Sequence, residues 1–140
     1  LAVQAFGGAG ESLFAARPDR RWRLPTKLAE ISGLAVTRDG RIFAHGDETG
    51  VVYELDIETG RIVKNFALGR PVVRDDFEGI AILGDNFYLV TSTGRLYRFA
   101  EGGNGEHVTY EAFDTGLSRV CEIEGLAAAR DSLIIACKSN

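Results

Sequence analysis

Three short acidic phrases carry the side chains of this sequence best suited to chemistry. They are Glu30-Ile31-Ser32-Gly33, Asp76-Phe77-Glu78-Gly79 and Glu122-Ile123-Glu124-Gly125. Each places an oxygen-bearing side chain directly before a glycine, and each has an acidic residue two positions before that; Asp75 adds a further charge. Carboxylates brought together repel one another unless a cation neutralises them. Oxygen donors of this kind suit a hard ion, Ca²⁺ or Mg²⁺. Residues two apart on a strand share a face. Glu78 and Glu124 are therefore the candidate metal ligands, with Ser32, Asp76 and Glu122 as weaker ones and calcium as the expected ion. The alternative is a row of solvated charges at strand starts, and the sequence leaves both open.

His45 and Asp47 form a second, weaker set of candidates, for a catalytic base. Counting one period forward gives Thr91 and Thr93, and two periods give Cys137 and Ser139, which could line the same surface. No Ser-His-Asp spacing supports nucleophilic catalysis, and there is no CxxC, GxSxG, P-loop or dinucleotide fingerprint. Lys138 is either a cation facing an anionic ligand or a solvated charge. Cys121 and Cys137 are the only cysteines. On a simple hairpin they do not sit opposite each other, so a disulfide requires the loop before Ile123 to fold back. Two cysteines alone do not fix the compartment.

These residues are positioned by a repeat. Gly33, Gly79 and Gly125 are spaced by 46 residues, and Asp39, Asp85 and Asp131 follow at the same period. So do the apolar triples Ile42-Phe43-Ala44, Tyr88-Leu89-Val90 and Ile134-Ile135-Ala136. A period of about 40–50 residues built from short strands is the signature of a β-propeller blade. The pattern predicts an all-β fold of two and a half to three blades of four antiparallel strands. Blade one is expected over 30–75, blade two over 76–121 and an incomplete blade three over 122–140. In blade one the strands are predicted at 31–37, 41–45, 51–56 and 61–68. In blade two they are predicted at 77–83, 87–91, 95–99 and 108–113, and in blade three at 123–129 and 133–137. Residues 1–29 read as an arm that is apolar and glycine-rich over 1–10, followed by an outer strand of a neighbouring blade at 21–24. The loop Glu101-Gly102-Gly103-Asn104-Gly105 is flexible in composition.

The inner strands read Gly-Leu-Ala-Val, Gly-Ile-Ala-Ile and Gly-Leu-Ala-Ala. Small and apolar residues suit strands buried on both faces where blades converge, and glycine lets neighbouring backbones approach closely. A mouth of the central channel is then the place where the acidic residues of successive blades meet.

Composition sets the outer limits. The 140 residues are 45% hydrophobic and 26% charged with a net charge of −4, which argues against disorder and against a nucleic-acid partner. No apolar stretch approaches the ~20 residues of a membrane span. The sequence has no Met and starts at Leu1, so it is expected to begin after a removed segment or to be a piece of a longer chain. Propellers close with about 4–8 blades. The ring is expected to be completed by missing sequence, the favoured case, or by a second chain.

The phrases Glu30-Ile31-Ser32-Gly33-Leu34-Ala35, Asp76-Phe77-Glu78-Gly79-Ile80-Ala81 and Glu124-Gly125-Leu126-Ala127 resemble those of SdiA-regulated-type and phytase-esterase-like six-bladed propellers. The resemblance covers residues 28–140. It implies a six-bladed ring, a periplasmic or secreted location, and calcium as in some relatives. Related lactonase-type propellers use a glutamate at a blade start as a metal ligand; Glu78 and Glu124 match that position, whereas blade one has Ser32. The function expected is binding of a cation or small ligand, or docking of a protein partner, at the channel mouth. The alternatives are a metal-dependent hydrolase of lactonase or phosphoesterase type, with His45 or Asp47 as base, and a purely structural interaction module.

Overall fold

A computed structural model describes residues 2–5 and 18–138; most of the apolar arm expected over 1–10 lies outside them. The alternating apolar runs of the repeat form two full antiparallel sheets. In the first, β3 (Ile31–Val36), β4 (Ile42–Gly46), β5 (Val51–Leu55) and β6 (Ile62–Leu68) lie side by side in chain order. In the second, β7 (Phe77–Leu83), β8 (Asn86–Thr91) and β9 (Arg95–Ala100) are followed by an outer strand, β11 (Tyr110–Asp114). Between β9 and β11 the short strand β10 (His107–Val108) leaves its own sheet and pairs parallel to β6. Two half sheets flank this pair: β1 (Ala2–Ala5) with β2 (Arg20–Arg23) before it, and β12 (Glu122–Ala129) with β13 (Ser132–Lys138) after it.

The inner strands β3, β7 and β12 pack against one another in turn. Pleating sends alternate side chains to opposite faces. Ile80 of β7 reaches back toward blade one, and Gly33 and Ala35 of β3 turn toward blade two. The space between is filled by a cluster that includes Phe43, Phe66, Phe77, Phe87, Leu89 and Phe99, all buried. Phe43 and Phe87 meet edge to face with ring centroids 4.9 Å apart, an arrangement worth about 0.5–1.5 kcal/mol beyond area burial. On the other face of blade one, Leu24 and Leu28 cover Ala44 and Leu55.

The glycine of the repeat is where one blade touches the next. A Cβ on Gly79 would lie 2.5 Å from the Leu126 amide nitrogen and 2.8 Å from its Cβ. A Cβ on Gly33 would lie 3.2 Å from Ile80 Cγ2 and 2.5 Å from His45 Nε2. Real Cβ atoms do not tolerate the distances under 3.0 Å, and at Gly79 the obstacle includes backbone, which cannot rotate away.

The loop expected to be flexible is tethered. Arg41, directly before β4, donates to both carboxylate oxygens of Glu101, at 2.7 and 2.9 Å, and Lys64 also pairs with Glu101. Asn104 Oδ1 accepts from the Asn65 amide at 3.1 Å, and the Ala67 amide donates to the Glu106 carbonyl at 2.9 Å. The loop thus caps the outer edge of blade one, and β10 extends that cover, which is one way a sheet hides an edge strand. This is also why the outer strand of blade two starts at Tyr110 rather than at Val108.

Gly79→Ala is expected to lower stability by about 2–3 kcal/mol, the upper range of core overpacking, as read from the midpoint of urea unfolding. A loss under about 0.5 kcal/mol would contradict the close approach of β7 and β12.

Candidate functional site

Ser32, Glu78 and Glu124 share a structural property that their position in the sequence does not reveal: each is the extra residue of a β-bulge. On β3 the pairing steps from Ile31 opposite Gly46 to Gly33 opposite His45. On β7 it steps from Phe77 opposite Thr91 to Gly79 opposite Val90. On β12 it steps from Ile123 opposite Cys137 to Gly125 opposite Ala136. A bulge leaves one residue unpaired and re-aims its side chain. The three bulge side chains therefore stand at the same end of three adjacent inner strands.

The groups that act on Glu78 come from more than one repeat. Glu78 is half-buried, and its carboxyl is pushed above the ordinary glutamate value, first by burial and then by the charges of Asp76, Glu124 and Asp47. A hydrogen bond with Ser32 acts in the opposite sense. Members of all three repeats thus contribute to one cluster. Part of the negative charge is answered from within the chain. Lys138 Nζ donates to Glu124 Oε1 at 3.0 Å and stands 3.9 Å from Glu122 Oε2. Its ammonium is held above its usual range by those two partners, Glu124 first. Glu78, Asp76 and Asp47 form no ion pair within 4.0 Å among the described residues. The donor set is oxygen-rich, as a hard cation prefers. Among the described residues, however, no three His, Cys, Asp or Glu side chains are spaced to hold a metal ion by themselves.

Asp47 joins this cluster, whereas His45 points elsewhere. Its side chain is 0% exposed and lies between blades, with its ring centroid 6.5 Å from that of Phe77. Its Nδ1 donates to the Gly46 carbonyl at 2.8 Å, which leaves Nε2 as an acceptor without a partner, facing Gly33. Burial lowers its pKa, which disfavours the charged ring. The period-mates counted from the sequence are also displaced by one. The β3–β4 turn contains one residue more than the corresponding turn of blade two, since Val36 faces Ile42 but its period-mate Ile82 faces Phe87. In space His45 therefore corresponds to Val90 and Ala136, both apolar, rather than to Thr91 and Cys137. Thr91 is buried and accepts from the Arg95 amide at 3.1 Å.

Cys121 and Cys137 are bonded, with Cα atoms 5.6 Å apart. The bulge at Glu124 and the turn Leu117–Arg119 before it bring the chain back toward β13, which is the fold-back that the bond requires. A cross-link over 16 residues suits a sheet of only two strands, which is marginal alone.

At the opposite end of the inner strands a cleft of about 600 Å³ opens between the hairpin turns, lined in part by Val36, Arg38, Asp39, Asp85 and Arg130. In the sequence Val36 falls in the predicted strand 31–37, and Arg38, Asp39, Asp85 and Arg130 fall in the turns that follow the inner strands. Its charges are mixed, and Arg41 beside it is already engaged by Glu101.

No protein-family profile matches the chain, and no curated protein matches it. Solved structures are similar in fold. Virginiamycin B lyase from Staphylococcus aureus superposes with a TM-score of 0.56 at 16% identity, over 84% of this chain and 38% of that one. Hsv2 from Kluyveromyces lactis gives 0.52 at 13%, over 76% and 38%. Raptor from Chaetomium thermophilum gives 0.54 at 16%, over 86% and 11%. The first two are β-propellers, and the chain has that fold. It spans less than half the length of each. Identities this low carry the fold alone.

Because the folded chain holds the Glu78 proton more tightly than the unfolded chain does, ionising Glu78 costs stability. That cost is absent below the ordinary value of 4.5, grows as pH rises through the raised folded value and is complete above it. Glu78→Gln should therefore raise Tm at about pH 7. The gain should vanish below about pH 4. Thermal unfolding followed by circular dichroism across that range checks it; an unchanged or lowered Tm at neutral pH would contradict the clustering.

Proposed function

We propose that this chain is a β-propeller recognition module whose acidic channel mouth binds a small cationic ligand, Ca²⁺ being the simplest. The observation that carries this is the position of Glu78: a half-buried carboxyl surrounded by Asp76, Asp47 and Glu124, while the nearby lysine is committed to Glu124. Such a group gains most from an added positive charge. Glu78 and Asp76 supply carboxylate oxygens and Ser32 a hydroxyl. A propeller mouth also leaves room for water or a ligand's own oxygens to complete the shell. With no three-ligand set among the described residues, the affinity expected is that of weak extracellular sites, about 10⁻⁴–10⁻³ M.

The resemblance to SdiA-regulated-type and phytase-esterase-like propellers is supported by the place of its phrases, since Ser-Gly-Leu-Ala and Glu-Gly-Ile-Ala sit at the bulge and at the close contact between blades. A periplasmic or secreted location is supported by the bond between Cys121 and Cys137, because disulfides persist in oxidising compartments. The hydrolase reading needs three converging ligands and a base that reaches them. Of its two candidate bases, His45 is interior and only Asp47 stands near Glu78.

Calcium is expected to raise the Tm of the wild-type chain by about 4 °C at ten times its Kd, measured against NaCl of equal ionic strength. Glu78→Gln should remove most of that shift. Equal responses to the two salts, or an undiminished calcium shift in Glu78→Gln, would refute the assignment.

A further inference from the structure

A second group of charged side chains meets at the far end of the inner strands from Glu78, in the cleft of about 600 Å³ between the hairpin turns. Its walls are turns between paired strands: 36–41 where β3 passes into β4, 82–87 where β7 passes into β8, and Ala128 and Arg130 before β13. Its apolar lining includes Phe87, which is buried, and Ile82, which packs on the same core cluster. The rest of the lining is mostly charged. An apolar surface with a few polar groups, in a volume of this size, suits a small organic ligand.

The charges around the cleft do not balance once their partners are counted. Arg41 donates to Glu101 and, at 3.2 Å, to Asp39, and Lys64 pairs with the same Glu101. These groups satisfy one another. Arg38, Arg130 and Asp85 are left, and among the described residues none of the three has an ion-pair partner within 4.0 Å. Two guanidiniums therefore line the cleft against one carboxylate.

Arg130 also occupies a backbone position that does not favour it. It is the first residue of a two-residue turn closed by Ala129 and Ser132, as Gly84 is of the turn closed by Leu83 and Asn86. Gly84 has φ +62° and Arg130 has φ +55°. Glycine takes this conformation without steric cost, and a long L side chain does not. Among the described residues Arg130 is the one non-glycine residue with positive φ. Strain held at one position points to a function of the side chain it keeps there, and here that side chain is a guanidinium on the cleft.

We propose that this cleft binds a small organic anion, with a carboxylate or phosphate group held by Arg38 and Arg130 and its apolar part over Ile82 and Phe87. The guanidinium presents parallel N–H donors that match such an oxyanion. It also stays charged at every physiological pH. Asp85 disfavours ligands with a further negative charge on its side of the cleft. The inference does not depend on whether the acidic mouth binds a cation.

Amide ¹H–¹⁵N NMR titrations with phenyl phosphate and, separately, with benzoate at constant ionic strength test it. The amides of Arg38, Asp39, Asp85 and Arg130 should shift and saturate with at least one of the two, and the probe that saturates tells phosphate from carboxylate. Arg130→Gly should weaken that binding about tenfold, the effect of losing one charge-assisted hydrogen bond. It should do so without lowering Tm, because glycine suits the turn. Arg38→Gln, at an exposed turn position, should weaken binding to a similar degree, and it decides the matter if Arg130→Gly does not fold. Shifts that fail to saturate with both probes would overturn the proposal. So would an affinity left unchanged by either substitution.

Discussion

Everything in this molecule depends on how closely one inner strand can approach the next. At Gly79 the backbone of β12 lies where a side chain would begin, and only a residue without Cβ permits that contact. The blades converge there because their inner strands are small and apolar. They diverge outward, where Phe43, Phe66, Phe87 and Phe99 fill the widening wedge. The 46-residue period is the sequence record of this geometry, since each repeat must present a glycine on one face and a branched aliphatic residue on the other.

The same constraint produces the chemistry. The bulge directly before each glycine frees one side chain from the ladder and turns it to the end of the strand. Because the glycines hold the strands together, the freed side chains of successive blades are neighbours. Two of the three are glutamates, and Asp76 and Asp47 add to them. Lys138 offsets one side of the cluster through Glu124 and Glu122. The charge left around Glu78 is a cost to folding, and the cation binding proposed above would act on stability through that one carboxyl.

Much of this was legible in the sequence because the repeat is regular. The strands fall close to their predicted places, and the structural role of the glycine followed from its apolar surroundings. What was hidden depended on register. A bulge adds a residue without changing composition, so Ser32, Glu78 and Glu124 look like ordinary strand residues. One additional residue in the first hairpin turn moved His45 out of line with Thr91 and Cys137, and placed it in the core. The glycine-rich loop at 101–105 has the composition of a flexible segment, yet Glu101 and Asn104 find partners on blade one that only the folded wedge brings near. The disulfide required the chain path before Ile123, which spacing alone does not define.

The most direct test of the account is a carboxyl ¹³C NMR titration of Glu78, in the unaltered chain and with Asp76 and Glu124 changed to their amides. Convergence of the bulge side chains predicts that Glu78 titrates above the ordinary glutamate value of 4.5 and moves toward it when its neighbours lose their charge. A Glu78 that titrates at or below that value, and that ignores both substitutions, would mean that the repeats do not bring their acidic residues to one mouth.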